Sequence, residues 1–480
     1  MTESTYNPFP GLRPFSAEED YLFFGREDQT NELLQLLREH RFIAVVGTSG
    51  SGKSSLVRAG LLPALFGGTM VSVGSRWEIG VFRPGGDPIL NLAQSLIDCD
   101  LYDGDDPETL PRLMATLRRS RNGLVEAIRQ SDLGERHNFL LVVDQFEELF
   151  RFSADRPEHQ ELASEFAQLL LHAASSPEIP VYITLTMRSD YLGECAQLPG
   201  LAEAVNHGEY LIPRLTRDQR RDAIERPVAV GGGKISRRLI NQLLNEVGDD
   251  VDQLPVLQHA LMRIWDCWEE DHQNDEPIDL RHYEAVGGLT RALSQHADEV
   301  FEELGDRHAQ LLCERIFKGL TERGSDERGI RRPTPMATLC KIVEGQAEDV
   351  RRVLDAFRKV GRTFVMPLEE TAIDESTIID ISHESLMRVW GRLRNWVDEE
   401  SQSARVYRRL AETASLFHDQ RAGHYRDPDL SIAWAWREQN SPNRDWADRY
   451  APGFEAAIEF LDESQEVATA EELSLIHISE

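Results

Sequence analysis

Hydrophobic residues recur in two patterns along this 480-residue chain. Between about residues 41 and 215, short apolar runs of strand length alternate with segments whose apolar residues recur at helical spacing. The strand-like runs are Phe42–Val46, Trp77–Phe82, Phe139–Val143, Val181–Thr186 and Tyr210–Ile212. Because continuously apolar strands separated by helices are typical of a parallel sheet covered on both faces, the pattern predicts a doubly wound, mostly parallel α/β sheet.

Outside that region the pattern is mainly helical. Leucines at helical spacing predict a helix over Asp28–Glu39. Within the α/β region, Asp87-Pro88 predicts the N-cap and first turn of another helix. Further on, strand candidates at Arg362–Pro367 and Thr377–Ile381 follow several helices and precede a helix at Ser385–Trp396, an order that predicts a winged helix. The predicted domains are an N-terminal arm and helix (1–40), the α/β core (41–215), a helical domain (216–289), a winged-helix domain (290–398) and a C-terminal helical segment (399–472).

The last eight residues, 473–480, read LSLIHISE and fit no pattern before them. They coincide with the translation of one reading frame of a transposase-end sequencing adapter. We therefore expect this octapeptide to be a sequencing-adapter artefact and the natural protein to continue beyond about Glu472.

Composition narrows the class of protein. The formal net charge of −31 argues against a protein that coats nucleic acid by bulk electrostatics. The five cysteines are far apart and lack C-x-x-C spacing, so they indicate reduced thiols of a cytoplasmic protein, not a disulfide frame or a zinc site. No apolar run of the sequence has the length needed to span a bilayer, and we expect no membrane partner.

The strongest chemical signal is GTSGSGKS, directly after the first strand candidate. It matches the phosphate-binding P-loop, G-x-x-x-x-G-K-[ST], and leads into a helical run, which is the context that the motif needs. Its glycines let successive backbone N–H groups point at one anion, and the helix N-terminus adds partial positive charge. Lys53 is predicted to reach the β- and γ-phosphates, and Ser54 to ligate Mg²⁺. The predicted nucleotide contacts of the loop are Gly47, Thr48, Ser49, Gly50, Ser51, Gly52, Lys53, Ser54 and Ser55.

A second element of a nucleoside-triphosphate site is LLVVDQFEE. Its strand ends at Asp144, which would emerge beside the P-loop and hold Mg²⁺ directly or through a water. Glu147 and Glu148 follow, and either could orient and polarise the water that attacks the γ-phosphate. Glu148 is the favoured base on sequence grounds, with Glu147 as the alternative.

Two further residues lie at the ends of strand candidates. Arg188 closes TLTMR, so its guanidinium is predicted to contact the γ-phosphate, the alternative being a pair with Asp190 or solvent. His383 lies where the last wing strand turns into a helix, with Ser382 as the predicted N-cap. Because a helix N-terminus disfavours an imidazolium, we expect His383 to be neutral without a ligand. Without further information, the local sequence favours a structural role for His383.

Residues 311–362 carry 12 Lys/Arg and 8 Asp/Glu, a local net charge of +4. Most of the positive charge comes from Arg328, Arg331, Arg332, Arg351, Arg352, Arg358, Lys359 and Arg362. This excess could face nucleic acid or an acidic partner domain, and nucleic-acid binding is the less favoured interpretation.

These motifs together resemble those of the STAND NTPases, signal-transduction ATPases related to the apoptotic and plant-immunity ATPases, and within them the first bacterial "novel STAND" group. The resemblance covers about Asn7 to Leu461. It rests on NPFPGLRPF, FFGRE, VVGTSGSGKSSLVRAGLLPAL, RPGGDP, LLVVDQFEELF, TMRSDYL, QLPVLQHALMRIW and ISHESLMRVWGRL. It implies a P-loop NTPase core followed by a helical domain and a winged-helix domain, with ATP or ADP as ligand and Mg²⁺ as cofactor.

The resemblance also implies roles for single residues. Arg188 would sense the γ-phosphate, and His383 would read the diphosphate state. The paired acids of the family are both glutamates here, which leaves the base open between Glu147 and Glu148. Further residues implied at the nucleotide are Phe24, Gly25 and Arg26, near the adenine, and Pro255, where the helical domain touches the ligand.

The function that the resemblance implies is a cytoplasmic, nucleotide-dependent signalling switch. ADP would hold the module inactive, ATP would drive homo-oligomerisation, and slow hydrolysis would reset it. Sensor repeats and an effector, which such proteins usually carry, would be C-terminal partner regions of the full-length protein. The competing interpretations are an origin-recognition or clamp-loader-like ATPase whose winged helix grips DNA, and a scaffold that binds ATP without turnover.

Overall fold

The structure is a computed structural model that describes residues 6–67, 76–131, 133, 137–153, 157–248, 253–272, 276–323 and 329–478. The chain divides into two units, Met1–Ala285 and Val286–Glu480. The first unit holds the predicted arm, the α/β core and nearly all of the predicted helical domain. The second unit holds the remainder of the chain.

The central sheet of the first unit has five strands, each where the hydrophobic pattern predicts one. They are β1 (Phe42–Gly47), β2 (Trp77–Phe82), β3 (Asn138–Val143), β4 (Val181–Arg188) and β5 (Glu209–Leu211). Their order is β2-β3-β4-β1-β5, and every neighbouring pair is parallel. The predicted parallel α/β sheet is therefore confirmed.

Residues of the inner strands enter two hydrophobic cores, one on each face of the sheet. On β1, Ile43 and Val45 pack into one core, whereas Ala44 and Val46 pack into the other. Every residue of β1 and β3 is buried. Burial on both faces explains why these strands read as unbroken apolar runs.

The strand order brings three chain segments to one edge of the sheet. β4 lies between β1 and β3, with Gly47 paired to Arg188 and Val143 paired to Leu185. Because the carboxyl ends of parallel strands share one edge, the P-loop, the segment that begins at Asp144, and Arg188 lie side by side.

Helices complete the first unit. The carboxylate of Asp87 caps one of them by accepting a hydrogen bond of 3.0 Å from the Leu90 N–H, as predicted. The helix after the P-loop contains a π-helical segment, Leu56–Leu61, between its α-helical parts Lys53–Ser55 and Leu62–Phe66. The other α-helices are Glu27–Glu39, Pro88–Asp98, Thr109–Arg119, Gly123–Gln130, Glu147–Ser153, Pro157–Ser175, Leu201–Gly208, Arg217–Val230, Arg237–Val247, Leu254–Asp271 and Leu280–Ala285, and 3₁₀-helices span Ala17–Leu22 and Ser189–Gln197.

The second unit combines helices with short antiparallel strands. Its helices are Gly288–Glu303, Arg307–Gly319, Met336–Val343, Ala347–Arg358, Ser385–Val389, Gly391–His418, Asp429–Asn440, Arg444–Ala447 and Phe454–Ile478. Its strands are β6 (Thr321–Arg323), β7 (Gly329–Arg331), β8 (Thr334–Pro335), β9 (Val365–Met366) and β10 (Ile378–Ile381). β6 pairs with β7, and β8, β10 and β9 form a three-stranded sheet in that order.

Two local predictions for this unit are wrong. The helix predicted over Ser385–Trp396 breaks at Trp390, whose backbone is extended, and a second helix begins at Gly391. The buried Trp390 indole donates a hydrogen bond of 2.8 Å to Asp298, so tertiary contacts set the break. Ser382 is not the N-cap, and its hydroxyl has no partner among the described residues. Across the described ranges, no helix combines the length and apolarity needed to cross a bilayer.

Candidate nucleotide-binding site

The P-loop needs its glycines for two different reasons. Gly50 and Gly52 have φ angles of +76° and +87°, a region that side-chain-bearing residues rarely adopt. At Gly47 the reason is space, because an added Cβ would lie 2.4 Å from Cγ2 of Ile212 and 2.8 Å from Oγ of Ser51. The turn is closed by Ser51 Oγ, which donates to the Thr48 carbonyl at 2.9 Å.

Lys53 lies folded over this loop. Its Nζ donates to the carbonyl oxygens of Gly47 and Thr48, at 3.0 and 2.7 Å. These carbonyls hold the ammonium group at the loop that is predicted to surround the phosphates, so a phosphate oxygen could replace them as acceptor.

Asp144 is the buried centre of the site. Its Oδ1 accepts hydrogen bonds from the hydroxyls of Ser54, at 2.7 Å, and Thr186, at 2.6 Å. Its Oδ2 lies 3.1 Å from Nη2 of Arg58. Burial by itself would raise the pKa of Asp144, but Arg58, Arg83 and the two hydroxyls outweigh it and lower the pKa. The carboxylate therefore stays ionised and links the helix after the P-loop to β3 and β4.

The donor set fits the ligands that the sequence predicts. Mg²⁺ prefers carboxylate and hydroxyl oxygens together with water, and Asp144 and Ser54 supply such oxygens 2.7 Å apart. The positive-φ glycines leave backbone N–H groups uncovered by any Cβ beside them. Ser54 and Asp144 would hold Mg²⁺, and the loop Gly47–Ser55 would surround the phosphates.

The two candidate bases have different neighbours. Glu147 Oε2 accepts a hydrogen bond of 3.3 Å from the Arg188 N–H, and Glu148 Oε2 accepts one of 3.3 Å from the Gly85 N–H. Burial raises the pKa of Glu147, and the nearby charges of Lys53 and Arg188 offset this only in part. Glu147 therefore lies among the residues that are predicted to face the γ-phosphate.

Arg188 pairs with Asp190, which was the alternative to a contact with the γ-phosphate. Its Nε and Nη2 bind the Asp190 carboxylate at 3.1 and 2.6 Å, and its guanidinium lies 5.8 Å from the centre of the Tyr191 ring. The arginine nevertheless lies at the sheet edge that carries the P-loop. Contact with a γ-phosphate remains a prediction and would require exchange of the Asp190 partner.

The buried Arg26 fixes the far side of the P-loop. Nη1 donates to the Pro213 carbonyl at 2.7 Å, and Nη2 donates to the Ser51 carbonyl at 3.2 Å. Burial lowers the pKa of Arg26 to about 10, which leaves it charged at neutral pH. Arg26 thus connects the loop to the chain that follows β5.

The other residues implied near the ligand lie in the same unit. The Arg226 guanidinium is 4.2 Å from the centre of the Phe24 ring. Gly25 has φ of +84°, and a Cβ there would lie 2.4 Å from the Gln219 carbonyl oxygen. Pro255 is in the first turn of its helix, Leu254–Asp271. FFGRE is therefore packed against the start of the helical domain, and nucleotide contact by these residues remains a prediction.

His383 belongs to the second unit. Its Nδ1 accepts a hydrogen bond of 3.1 Å from the Ser385 N–H and lies 2.9 Å from Oγ of Ser385. In this contact Nδ1 is the acceptor, and the neutral state of the imidazole remains a prediction. Ser382 was predicted to contact the start of the short helix Ser385–Val389 through its side chain. His383 makes such a contact instead.

Two residues that contact Asp144, Thr186 and Arg58, were not predicted from the sequence to belong to the site. Thr186 was assigned to a strand only, yet its hydroxyl donates to Asp144 and accepts from the Gln145 N–H at 2.9 Å. Arg58 lies four residues after Ser54, so helical spacing places both on one face. That spacing was a usable signal, whereas the Thr186 contact depends on β4 lying beside β3.

A parallel sheet that carries a P-loop after β1 and a hydroxyl-bound aspartate after the non-adjacent β3 defines a P-loop NTPase. The model of the family Novel STAND NTPase 1 matches residues 8–424. The chain belongs to that family.

Comparison with solved structures finds distant resemblance. The Walker-type ATPase of Pyrococcus abyssi is 16% identical, over 79% of this chain and 98% of that chain, with a TM-score of 0.39. The ORC2 protein of Aeropyrum pernix, in ADPNP–ADP complexes, is 13% identical over 83% and 97%, with a TM-score of 0.42. Similarity at this level extends to neither substrate nor partner. A search of curated proteins found no match.

Proposed function

We propose that the chain is a nucleotide-dependent signalling switch that binds ATP or ADP with Mg²⁺, hydrolyses ATP slowly and oligomerises in the ATP state. The observation that carries this proposal is the junction at Asp144. One carboxylate joins the helix after the P-loop, β3 and β4 through Ser54, Arg58 and Thr186. A ligand that changes this junction acts on three elements at once.

The magnesium ion would be held by Ser54 and Asp144. Bound there, it would neutralise charge on the phosphate oxygens. Lys53 would move from the Gly47 and Thr48 carbonyls to the phosphates. Glu147 would orient the attacking water and accept its proton, because burial raises the pKa of its carboxyl despite the nearby charges of Lys53 and Arg188.

We further propose that part of the second unit is a winged helix. Helices Arg307–Gly319, Met336–Val343 and Ala347–Arg358 accompany the three-stranded antiparallel sheet β8-β10-β9. This composition and order support the proposal. His383, directly after β10, would read the diphosphate state.

The energies required of such a switch are modest. Moving a two-state equilibrium from 1:99 to 99:1 needs about 5.5 kcal/mol of differential binding. A hydrogen bond to a charged group contributes about 1.5–3 kcal/mol. Two to four contacts with the γ-phosphate are therefore sufficient, and Lys53, Arg188 and bound Mg²⁺ could supply them.

DNA binding is the second candidate function, and the contacts of the basic residues bear on it. Within the described residues, six arginines of the predicted basic stretch pair with carboxylates, so phosphates would have to displace existing partners. The pairs are Arg331–Asp380, Arg332–Glu322, Arg351–Glu348, Arg352–Asp349, Arg358–Asp355 and Arg362–Glu303. Arg328 lies outside the described residues. Salt-sensitive binding of duplex DNA would favour the alternative; its absence at low salt would eliminate it.

Lys53→Ala tests the switch. The variant loses the ammonium group that faces the phosphates, so we expect no detectable nucleotide binding and no ATP-induced increase in mass by size-exclusion chromatography with light scattering. The control is Lys359→Ala, at an exposed lysine of the second unit. Assembly of the Lys53 variant with ATP would contradict the switch.

A further inference from the structure

Both oxygens of the Asp144 carboxylate have donors, and the donor to Oδ2 is Arg58. Ser54 and Thr186 bind Oδ1 at 2.7 and 2.6 Å, and Arg58 binds Oδ2 at 3.1 Å. Ser54 and Arg58 are four residues apart, so one face of one helix supplies a partner for each oxygen. The carboxylate is held against rotation.

Arg58 lies in the π-helical segment Leu56–Leu61. Such segments are rare and occur frequently at functional sites. Gly60, in the same segment, packs so closely that an added Cβ would lie 2.6 Å from Oγ1 of Thr30. Contact with helix Glu27–Glu39 therefore fixes the backbone from which Arg58 extends.

The surroundings of Arg58 indicate a role toward Asp144 rather than in packing. The Asp144 side chain is 1% exposed and that of Arg58 31% exposed. Nε of Arg58 is buried without a hydrogen-bond partner in the part of the chain that the structure describes. A buried donor without a partner is destabilising, and an apolar side chain of similar length would avoid it. The ion pair with Asp144 is the contact that offsets this cost.

We propose that Arg58 is a positioning residue for magnesium, which holds the Asp144 carboxylate in the orientation that it shares with the Ser54 hydroxyl. The assignment rests on the proposed nucleotide function. Mg²⁺ demands near-ideal octahedral geometry, so a carboxylate that is free to rotate binds it less well. Removing a group that hydrogen-bonds to a metal ligand typically weakens metal binding by about 10–100-fold.

The test measures metal binding directly on the full chain. Mn²⁺ replaces Mg²⁺, and bound Mn²⁺ is counted by electron paramagnetic resonance in the presence of ADP. We expect Arg58→Met to need about 10–100-fold more Mn²⁺ for half-saturation. Its ADP affinity in EDTA should stay within about twofold of wild type, since Arg58 acts through the metal ligand. Arg58→Lys restores the charge but not the guanidinium and should be intermediate.

A matched control is Arg129→Met, at a surface arginine that pairs with Glu178; its metal requirement should equal that of wild type. An unchanged requirement in Arg58→Met would overturn the assignment, and a lower one would show instead that Arg58 competes with the metal. If Arg58→Met does not fold, Arg58→Lys decides, because its requirement must still rise. Wild-type protein that binds neither ADP nor Mn²⁺ would overturn the nucleotide function itself.

Discussion

Asp144 and Glu147 are three residues apart and both buried, yet their pKa values move in opposite directions. Burial alone would raise both. At Asp144, two arginines and two hydroxyls outweigh burial and lower the pKa. At Glu147, Lys53 and Arg188 offset burial only partly, and the pKa is raised. Environments that separate the pKa values of two carboxyl groups suit a division of roles. Asp144 stays charged and suits a cation, whereas Glu147 is able to take a proton.

The variant Glu147→Gln tests whether burial raises the pKa of Glu147. A carboxyl whose pKa is raised on folding destabilises the fold while ionised, and this cost disappears as the pH falls through the raised value. We therefore expect the variant to be more stable than wild type at pH 7. The advantage should vanish as the pH falls to about 4.5, the ordinary pKa of a glutamate. Urea unfolding at several pH values measures this.

Turnover completes the comparison. If Glu147 is the base, phosphate release by Glu147→Gln should fall about a hundredfold or more. Glu148→Gln is the matched variant, because Glu148 is equally buried but faces the Gly85 N–H. A larger loss in Glu148→Gln would return the role to the residue that the sequence favoured. Unchanged release in both variants would mean that neither carboxylate takes part in the chemistry.

At the scale of elements, the N-terminal arm ties two parts of the first unit together. The Asn7 amide donates to the Met262 carbonyl at 3.0 Å and to Asp266 at 2.7 Å. Further along, the Phe15 N–H donates to the Ser55 hydroxyl at 3.3 Å. The arm therefore connects the P-loop helix to helix Leu254–Asp271.

Glu19 organises this arm. Its carboxylate binds Arg13 Nη1 at 2.6 Å, the Tyr6 hydroxyl at 2.8 Å and the Ser16 N–H at 2.9 Å. Although burial opposes ionisation, Arg13 and the other donors lower the pKa of Glu19 to about 2. Arg13 is itself largely buried, so removing one partner leaves the other uncompensated.

We expect Glu19→Gln to destabilise the first unit by about 3 kcal/mol. Because the folded-state pKa is depressed, the loss should be complete above about pH 4.5 and shrink as the pH falls toward 2. Urea unfolding of the variant and of Glu18→Gln, an exposed neighbour, measures it. Equal stability of the two variants at pH 7 would contradict a role for Glu19 in holding the arm.

Strands with a buried apolar run could be predicted to within two residues, whereas three of the shortest strands could not. β1 and β4 each extend the predicted runs by one or two residues, because burial on both faces leaves an unbroken signal. The strands β6, β7 and β8 went unpredicted, since runs of two or three residues are too short to show a periodicity. The break at Trp390 depends on Asp298, 92 residues away.

At the scale of the whole molecule, the proposal makes His383 the link between ligand state and activity. We expect His383→Ala to weaken ADP binding by about tenfold, the equivalent of one hydrogen bond to a charged group. ATP-induced assembly should then occur at a lower ratio of ATP to ADP, because the inactive state loses a contact. Calorimetry and light scattering measure the two effects.

The control for this variant is His308→Ala, at an exposed histidine of helix Arg307–Gly319. It should leave both ADP affinity and assembly at wild-type values. If His383→Ala also binds ADP as tightly as wild type, His383 has a structural role and does not sense the nucleotide.

The positions of the P-loop and of Asp144 after their strands followed from the sequence, because a run of eight residues and the end of an apolar strand are local features. Family membership followed in the same way from motifs spread along the chain, and the family match confirms it. The partners of those residues were decided only in three dimensions. Thr186 reaches Asp144 across 42 residues, and Arg58 across 86. Such contacts depend on strand order and helix placement. The spacing of residues along the chain predicts only which side chains are neighbours on one helix or strand.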